Sequence, residues 1–336
     1  MFYSHIEINK FLKHSNYYSG NALINNPKPI ENQEEPECIY YNKYYEYNGD
    51  ENSNEIEYSI VMPIHNQENI IVKNITSVLV NTVGKFEFII ILDGCEDKTE
   101  ENVINFFKNI ENKIKKECKL QNVIIIKQST SVFETVSDNI GFRLSSGKYI
   151  VEVQADMKII TYAYNKILSI PMELWDDVIA VSGRCCHTLP YRKFEGVGKT
   201  GDKVEEPVNF PTFDFMNKFF IMETVNRGPL CLDAEKLKVM GYLDETNFYL
   251  ADDDHDLMAR AFYQKKWVCG YFPIEFNSPI ADGSQRKQSN EKNNKIREIK
   301  KQNCTGGFLR SLGNIYKPKD IEVRDIESVY NKFISH

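Results

Sequence analysis

Residues 148–160 read KYIVEVQADMKII. From Lys148 to Val153 the side chains are β-branched, aromatic or alternating, the pattern of a buried strand. The strand runs straight into Gln154-Ala155-Asp156. Before it, SDNIGFRLSSG (137–147) has the spacing of an amphipathic helix that stops at Gly147. The order is therefore helix, glycine stop, strand, acidic edge. A carboxylate at the C-terminal end of a central strand stands where open α/β sheets bind their ligands. Taken alone, Asp156 reads better as the opening of a turn, so the surrounding chain decides its meaning.

Upstream, YSIVMPIHN (58–66) is a short apolar run closed by a polar loop, and reads as a buried strand. Glu68 to Asn81 then places Ile71, Ile75, Val78 and Leu79 on one helical face. FEFIIILD (86–93) is a second buried strand, again ending on an aspartate. In the loop after it, Asp97 and Glu100 have the spacing of a capping box. The next helix carries Val103, Phe106, Phe107, Ile110 and Ile114 on its apolar stripe. NVIIIKQ (122–128) is a third strand, and Ser131 with Glu134 is placed to cap the helix leading to Gly147. Strand and helix alternate three times before the strand at 148–153. This specifies an α/β fold, a mixed and mostly parallel sheet flanked by helices, with right-handed crossovers. In such a sheet Asp93 and Asp156 share one rim.

Downstream the pattern is less regular. DDVIAVSGR (176–184) reads as a strand. Residues 185–226 are aromatic and loop-like, with Pro190, Pro207 and Pro211. A loop of that length in a compact enzyme is functional or disordered. Within it, residues 187–226, with His187, Tyr191, Arg192, Phe210, Phe213 and Phe215, are the expected acceptor wall, while Phe219 and Phe220 read as core and His187 reads also as a hydrogen-bonded structural histidine. RGPLCLDAEKLKVMGYLDE (227–245) holds a short strand and a helix, FYLADDDHDLMARAFYQKKW (248–267) an acid-rich helix start, and WVCGYFPIEF (267–276) another strand. Residues 285–303 are polar and charged. Asp320 to Phe333 puts Ile326, Val329, Tyr330 and Phe333 on one side of a closing helix. Residues 1–57, rich in Asn, Tyr and Glu, read as an ordered extension packed on the main body.

The chain has 336 residues, 42% hydrophobic and 12% aromatic, enough for one large domain with elaborations. A formal charge of −7 argues against nucleic-acid partners, which call for a basic face. The 8 cysteines show no zinc-type spacing and read as reduced thiols. No apolar run reaches the roughly 20 residues of a membrane span, and the N-terminus lacks a signal-peptide core. These features predict a soluble, cytoplasmic protein.

The densest local signal is Asp252-Asp253-Asp254-His255-Asp256. So many carboxylates repel one another unless a helix N-terminus, a metal or a cation compensates. They read either as a solvated acidic cap or as the seat of a general base whose proton affinity is raised by its neighbours. Asp256 and Arg260 fall at i,i+4 and are expected to pair on the helix surface. Asp93-Gly94 is either a turn or a place where a ribose meets the backbone. Asp156 is a hard oxygen ligand suited to Mg²⁺ or Mn²⁺ on a diphosphate.

YSIVMPIHN, LDGCEDKT, DNIGFRLSSGKYIVEVQAD and RGPLCLDAEKLKVMGYLDE…DDDHDLMARAFYQKKW together resemble the inverting nucleotide-sugar glycosyltransferases of the GT-A fold, the family 2-like group of polysaccharide synthases. The resemblance covers residues 58–284, with 58–160 as the nucleotide-binding half, 161–284 as the acceptor half and 285–336 as a C-terminal loop and helix. It implies that Pro63, His65 and Glu68 touch the nucleotide base, that Asp93 and Asp97 bind its uracil or ribose side, and that Asn139 and Arg143 lie along the nucleotide. Gln154-Ala155-Asp156 matches the family's Asp-x-Asp, with Asp156 as the metal ligand. Asp254 matches the catalytic base, Asp253, Arg227 and Tyr191 the acceptor side, and Arg260 the arginine one turn later. There are three departures, one of them Asp253, which stands where glutamate is commoner. Gln154 replaces the first acid, though an amide still hydrogen-bonds a hydroxyl. SPIADGS (278–284) lacks the histidine that completes many metal shells.

The resemblance implies inverting transfer of a sugar from a nucleotide sugar, a UDP-sugar above all, to an acceptor hydroxyl. The acceptor is a glycan, a protein or a small molecule, and a divalent ion assists. Two other readings stay open: a weak or inactive GT-A-like protein that binds a sugar or a partner, and a nucleotidyltransferase. The latter usually opens on a Gly- and Arg-rich phosphate loop, which residues 64–68 lack. Arg286 and Lys287 read as a phosphate lid or as an ordinary solvated pair.

Overall fold

The computed structural model describes residues 38–44, 55–110, 118–183, 208–209, 218–222, 224–250, 252–278 and 323–326. Thirteen strands are present among them: β1 (Cys38–Tyr44), β2 (Tyr58–Ile64), β3 (Phe86–Asp93), β4 (Leu120–Gln128), β5 (Tyr149–Glu152), β6 (Lys158–Ile159), β7 (Val178–Ser182), β8 (Val208–Asn209), β9 (Lys218–Met222), β10 (Leu230–Asp233), β11 (Val268–Tyr271), β12 (Phe276–Asn277) and β13 (Val323–Asp325). The helices are α1 (Ile71–Asn81), α2 (Thr99–Lys108), α3 (Glu134–Leu144), α4 (Tyr164–Leu174), α5 (Ala234–Met240) and α6 (Asp253–Lys265).

Ten strands form one mixed sheet in the order β1-β4-β3-β2-β5-β10-β7-β11-β9-β13. Strands β2, β3, β4, β5, β7, β11 and β13 run one way, and β1, β9 and β10 run the other. The β4-β3-β2-β5 block is wholly parallel. Its strands are near-continuous apolar runs because both faces are covered. On one face Ile60, Met62, Ile90 and Val151 pack with α1, α2 and α4. On the other, Val61, Ile89, Ile91 and Ile150 pack with α3, α5 and α6. This period-2 alternation of a doubly wound sheet agrees with the mostly parallel α/β architecture expected from the sequence.

From β2 the chain moves outward through β3 to β4, then returns to the opposite side of β2 as β5. The order therefore reverses at β2/β5, and the C-terminal ends of β2, β3 and β5 face one crevice. The loop after β2, the Asp93 end of β3 and Gln154-Ala155-Asp156 after β5 all belong to that rim. Lys158–Ile159, just beyond, pairs with β12, and β12 pairs with β8 in a small second sheet.

Three expectations are corrected. Within the stretch 320–333 expected as a closing helix, Val323–Asp325 is instead a strand paired with Phe220–Lys218 of β9. Ile326, just after it, is buried, and the other residues of 320–333 lie outside the described ones. The capping box at Asp97 and Glu100 is not formed. Asp97 Oδ1 instead accepts the Thr99 N–H at 2.9 Å, and Glu100 pairs with Lys127. Ser131 does not cap α3, because its hydroxyl donates to Asp93. Among the described residues no helix is long and apolar enough to cross a membrane.

Candidate active site

The first loop of the rim is held by the protein itself. His65 Nδ1 donates to the Asp93 carbonyl, which leaves Nε2 to accept from Asn66. Glu68 and Asp97 are reciprocal: the Glu68 N–H donates to Asp97 Oδ2 at 3.1 Å, and the Lys98 N–H donates to Glu68 Oε2 at 3.0 Å. The Gln67 N–H is taken by Thr99 Oγ1 at 2.6 Å. The loops after β2 and β3 thus form one stitched ledge. Pro63 is half-buried just before it, at the end of β2.

Asp93 is buried and turned inward. Its carboxylate accepts from Ser131 Oγ at 2.7 Å, from the Val132 N–H at 2.6 Å and from the Phe133 N–H at 3.0 Å. Burial pushes its pKa up, against these donors and His65. The neighbouring glycine serves the same contact. Gly94 has φ +60°, and a Cβ there would meet the Ser131 nitrogen at 2.3 Å. The close approach expected of a ligand at Gly94 is occupied by the chain's own 130–133 turn.

Helix α3 starts from that turn. Its Gly141 lets it lie against the sheet, since a Cβ there would meet Val61 Cγ1 at 2.2 Å. Asn139 and Arg143, expected along a nucleotide, point the other way. Asn139 donates to the Leu243 carbonyl and accepts the Leu243 N–H at 3.0 Å, and both side chains contact Glu245. They anchor residues 243–245 to α3.

The other face of α3 carries Glu134 and Asp138, one turn apart. One carboxylate oxygen from each and one from Glu152 in β5 lie within 4.8 Å of one another. Arg227 reaches into this group from the segment before β10. Its Nη1 stands 2.9 Å from Asp138 Oδ2 and 3.2 Å from Glu134 Oε1, and its Nη2 contacts Asp253 Oδ1. Gln154 joins from the strand end, donating through Nε2 to Glu134 Oε1 at 2.7 Å. Arg227, expected to face an acceptor, is thus committed to carboxylates and is 7% exposed.

Asp254 and Asp253 open α6. Asp253 is fully buried, and its Oδ1 also accepts the Asp254 N–H. Asp254 accepts the Arg227 N–H on Oδ2 at 2.9 Å and the His255 N–H on Oδ1 at 2.8 Å. Burial alone would raise the Asp254 pKa, but His255, Arg227 and these two N–H groups outweigh it and hold the pKa below the ordinary value. The expectation that neighbours raise it is overturned, because Arg227, His255 and backbone donors rather than the other acids reach it first. The excess negative charge is absorbed elsewhere. Burial, assisted by Glu134 and Asp254 against the pull of Arg227, pushes Glu152 up to about 8. Asp138 is also raised well above its ordinary value, by burial first.

Asp256 and Arg260 do pair, at 2.7 Å, but inside the protein and not on the helix surface. Arg260 is 2% exposed and also donates to the carbonyls of Met240 and Tyr242. It locks α6 to the end of α5. The sequence reading missed Glu134, Asp138 and Glu152 as one group. The signals were there: two acids at i,i+4, and one acid inside the apolar strand YIVEV. Tyr191, His187, Arg286 and Lys287 lie outside the described residues. Phe219 and Phe220 are core, with Trp175 stacked on Phe219.

A divalent ion fits this rim in one way. Arg227 already fills the cation position among Glu134, Asp138 and Glu152, and Gln154 is turned to Glu134. Asp156, half-buried just beyond the end of β5, is a single hard oxygen donor. One carboxylate suits an ion that arrives on a diphosphate, not a cage built by the protein alone.

Residues 59–186 match the family model described as Glycosyl transferase family 2. No curated protein matches the sequence. Among solved structures, a fragment of TarS (residues 1–349) from S. aureus is 13% identical, over 66% of this chain and 60% of its own, at a TM-score of 0.45. A mannosyltransferase from Pyrobaculum calidifontis, in complex with GDP-Man and Mn²⁺, is 10% identical over 93% of this chain and 73% of its own, at 0.48. GalNAc-T7 with UDP, GalNAc and Mn²⁺ is 11% identical over 67% of this chain and 44% of its own, at 0.45.

Proposed function

We propose, starting from the match of residues 59–186 to the Glycosyl transferase family 2 model, that the protein is an inverting glycosyltransferase. It transfers a hexosyl group from a nucleotide sugar, most simply a UDP-sugar, to an acceptor hydroxyl. The observation that supports this best is the position of Asp254. This buried carboxylate is fixed by two backbone N–H groups and joined through Arg227 to the β5 end of the crevice.

In this reading residues 58–284 are the GT-A domain, with 58–160 holding the nucleotide and 161–284 the acceptor. The ledge of Pro63, His65, Glu68 and Asp97 supports the base, and Asp93 fixes the turn beneath it. Gln154 and Ala155 line the ribose side. Asp253, buried against Arg227, backs the base from the acceptor side, and Tyr191 is a residue proposed to bind the acceptor. Asp254 takes the proton of the acceptor hydroxyl as its oxygen attacks the anomeric carbon. The bond to the diphosphate breaks on the opposite face, its electron pair leaves with the nucleoside diphosphate, and the configuration inverts. An Asp254 pKa held below the ordinary value leaves the carboxylate ionised but only weakly basic, so the proton passes to it as the attacking oxygen bonds to the anomeric carbon and not beforehand. A Mn²⁺ or Mg²⁺ ion held by Asp156 and the diphosphate would neutralise the leaving charge.

The test is nucleoside diphosphate release from UDP- and GDP-sugars with Mn²⁺, wild type against Asp254→Asn. Turnover that falls about 10²–10⁴-fold in the variant is the expected outcome. Tight nucleotide binding with no turnover in the wild type would instead favour the sugar- or partner-binding reading.

A further inference from the structure

The first position of the strand-end motif is an amide, Gln154, where the resemblance calls for an acid. The structure gives a local reason. Gln154 Nε2 donates to Glu134 Oε1 at 2.7 Å, so a carboxylate at 154 would stand against Glu134. The same Glu134 oxygen is 3.2 Å from Arg227 Nη1. Arg227 in turn contacts Asp253 through its side chain and Asp254 through its backbone N–H at 2.9 Å. A continuous set of contacts therefore runs from β5 through α3 to the N-terminus of α6.

We propose that Arg227 is the positioning residue of the base Asp254, and that Gln154 and Glu134 hold Arg227 in register, so that the donor end of the crevice and the base are set by one polar relay. The inference rests on the reading of Asp254 as the base. It accounts for the amide at 154 as the partner of an acid on α3 and not as a loss of function. The groups facing this relay are Glu134 and Asp138 from α3, Glu152 from β5, and Asp253, Asp254 and His255 from α6. Arg227 is the cation shared among them. A planar fork can hold two helices at once, whereas a point charge holds one partner well.

The experiment compares wild type, Arg227→Lys, Gln154→Asp, Glu134→Gln and the double variant Gln154→Asp/Glu134→Gln. The probe is whichever UDP- or GDP-sugar gives nucleoside diphosphate release with Mn²⁺. Arg227→Lys is expected to lower kcat about tenfold or more with KM little changed, and to move the acid limb of the kcat profile upward, because a single ammonium cannot bridge Glu134, Asp138 and Asp253 at once and the residue-227 charge and N–H lose their fixed placement on Asp254. Gln154→Asp is expected to fall similarly, and the double variant to recover to within about threefold of the wild type. Should Arg227→Lys lower only the melting temperature and leave the pH profile in place, Arg227 is filler and the inference fails. A Gln154→Asp variant as active as wild type, or one that Glu134→Gln does not rescue, removes the relay. If Arg227→Lys does not fold, the Gln154/Glu134 pair decides. If no donor turns over, the reading of the base fails on its own. The relay is then still read by hydrogen exchange at the amides of residues 254–257, faster in Gln154→Asp and restored in the double variant.

Discussion

Glu152 lies within the apolar strand β5 and is fully buried, with Arg227 its main compensating charge. Its pKa rises from 4.5 in the reference state to about 8 in the folded protein. The folded state therefore binds a proton that the unfolded chain releases. This contribution to stability is fully present below about pH 4.5 and is lost as pH climbs through about 8, at up to about 1.4 kcal/mol per pH unit. Glu152→Gln is expected to flatten that slope, so thermal melts of wild type and variant should diverge between about pH 5 and about pH 8, with the variant gaining. Arg260 is a second residue whose environment sets a prediction. It makes three charge-assisted bonds in the interior, and Arg260→Lys keeps the charge but cannot reach all three acceptors. A loss of about 3–5 kcal/mol in chemical denaturation is expected, by analogy with a broken buried pair. For Asp93, replacement by Asn leaves one oxygen for donors that now share two, and should cost about 1–3 kcal/mol. Asp93 was legible as an acid at a strand end. What it holds was not, because its partners come 38 to 40 residues later, beyond another helix and strand.

At the scale of elements, β2, β3, β4, β5 and β7 could be read because each is a short apolar run bounded by polar residues. Helices α1, α2 and α3 could be read because their apolar positions repeat at helical spacing. Helix α4 was not read. Pro171 interrupts its pattern, and only packing on β7 and β10 makes its stripe of Tyr164, Ile167 and Leu168 part of the core. Strands β6, β8 and β12 are two residues each, too short for any periodicity to show. The fit of α3 on the sheet gives an element-level test. Gly141→Ala drives a methyl into Val61 and Ile91, and the helix must lift or the core must shift, at about 1–3 kcal/mol. Because Glu134 and Asp138 ride on α3, the same change should, under the proposed function, also lower nucleoside diphosphate release from a nucleotide sugar. Opposite the crevice, Glu87 Oε1 accepts from Ser59 Oγ, Ser146 N–H and Ser146 Oγ. That carboxylate ties the turn before β5 to two neighbouring strands.

At the scale of the whole molecule, the two terminal segments read from the sequence as appendages. The structure uses part of each as sheet. Cys38–Tyr44 lies antiparallel on β4 as one edge, and Val323–Asp325 lies on β9 as the other. Arg324 fastens the second edge by a two-pronged contact with Asp177 at 2.7 and 2.8 Å, and its guanidinium lies over Trp175. Neither role was visible from composition, because an edge strand is defined by its neighbour and not by a pattern of its own. Sequence boundaries at 58 and 284 enclose the expected chemistry yet cut through the sheet. A fragment trimmed to 58–284 would bare the hydrogen-bonding flanks of β4 and β9, both of them apolar and extended. Such flanks recruit strands from other molecules. The trimmed fragment should therefore self-associate at concentrations where the full chain does not, a difference that light scattering on the two would reveal.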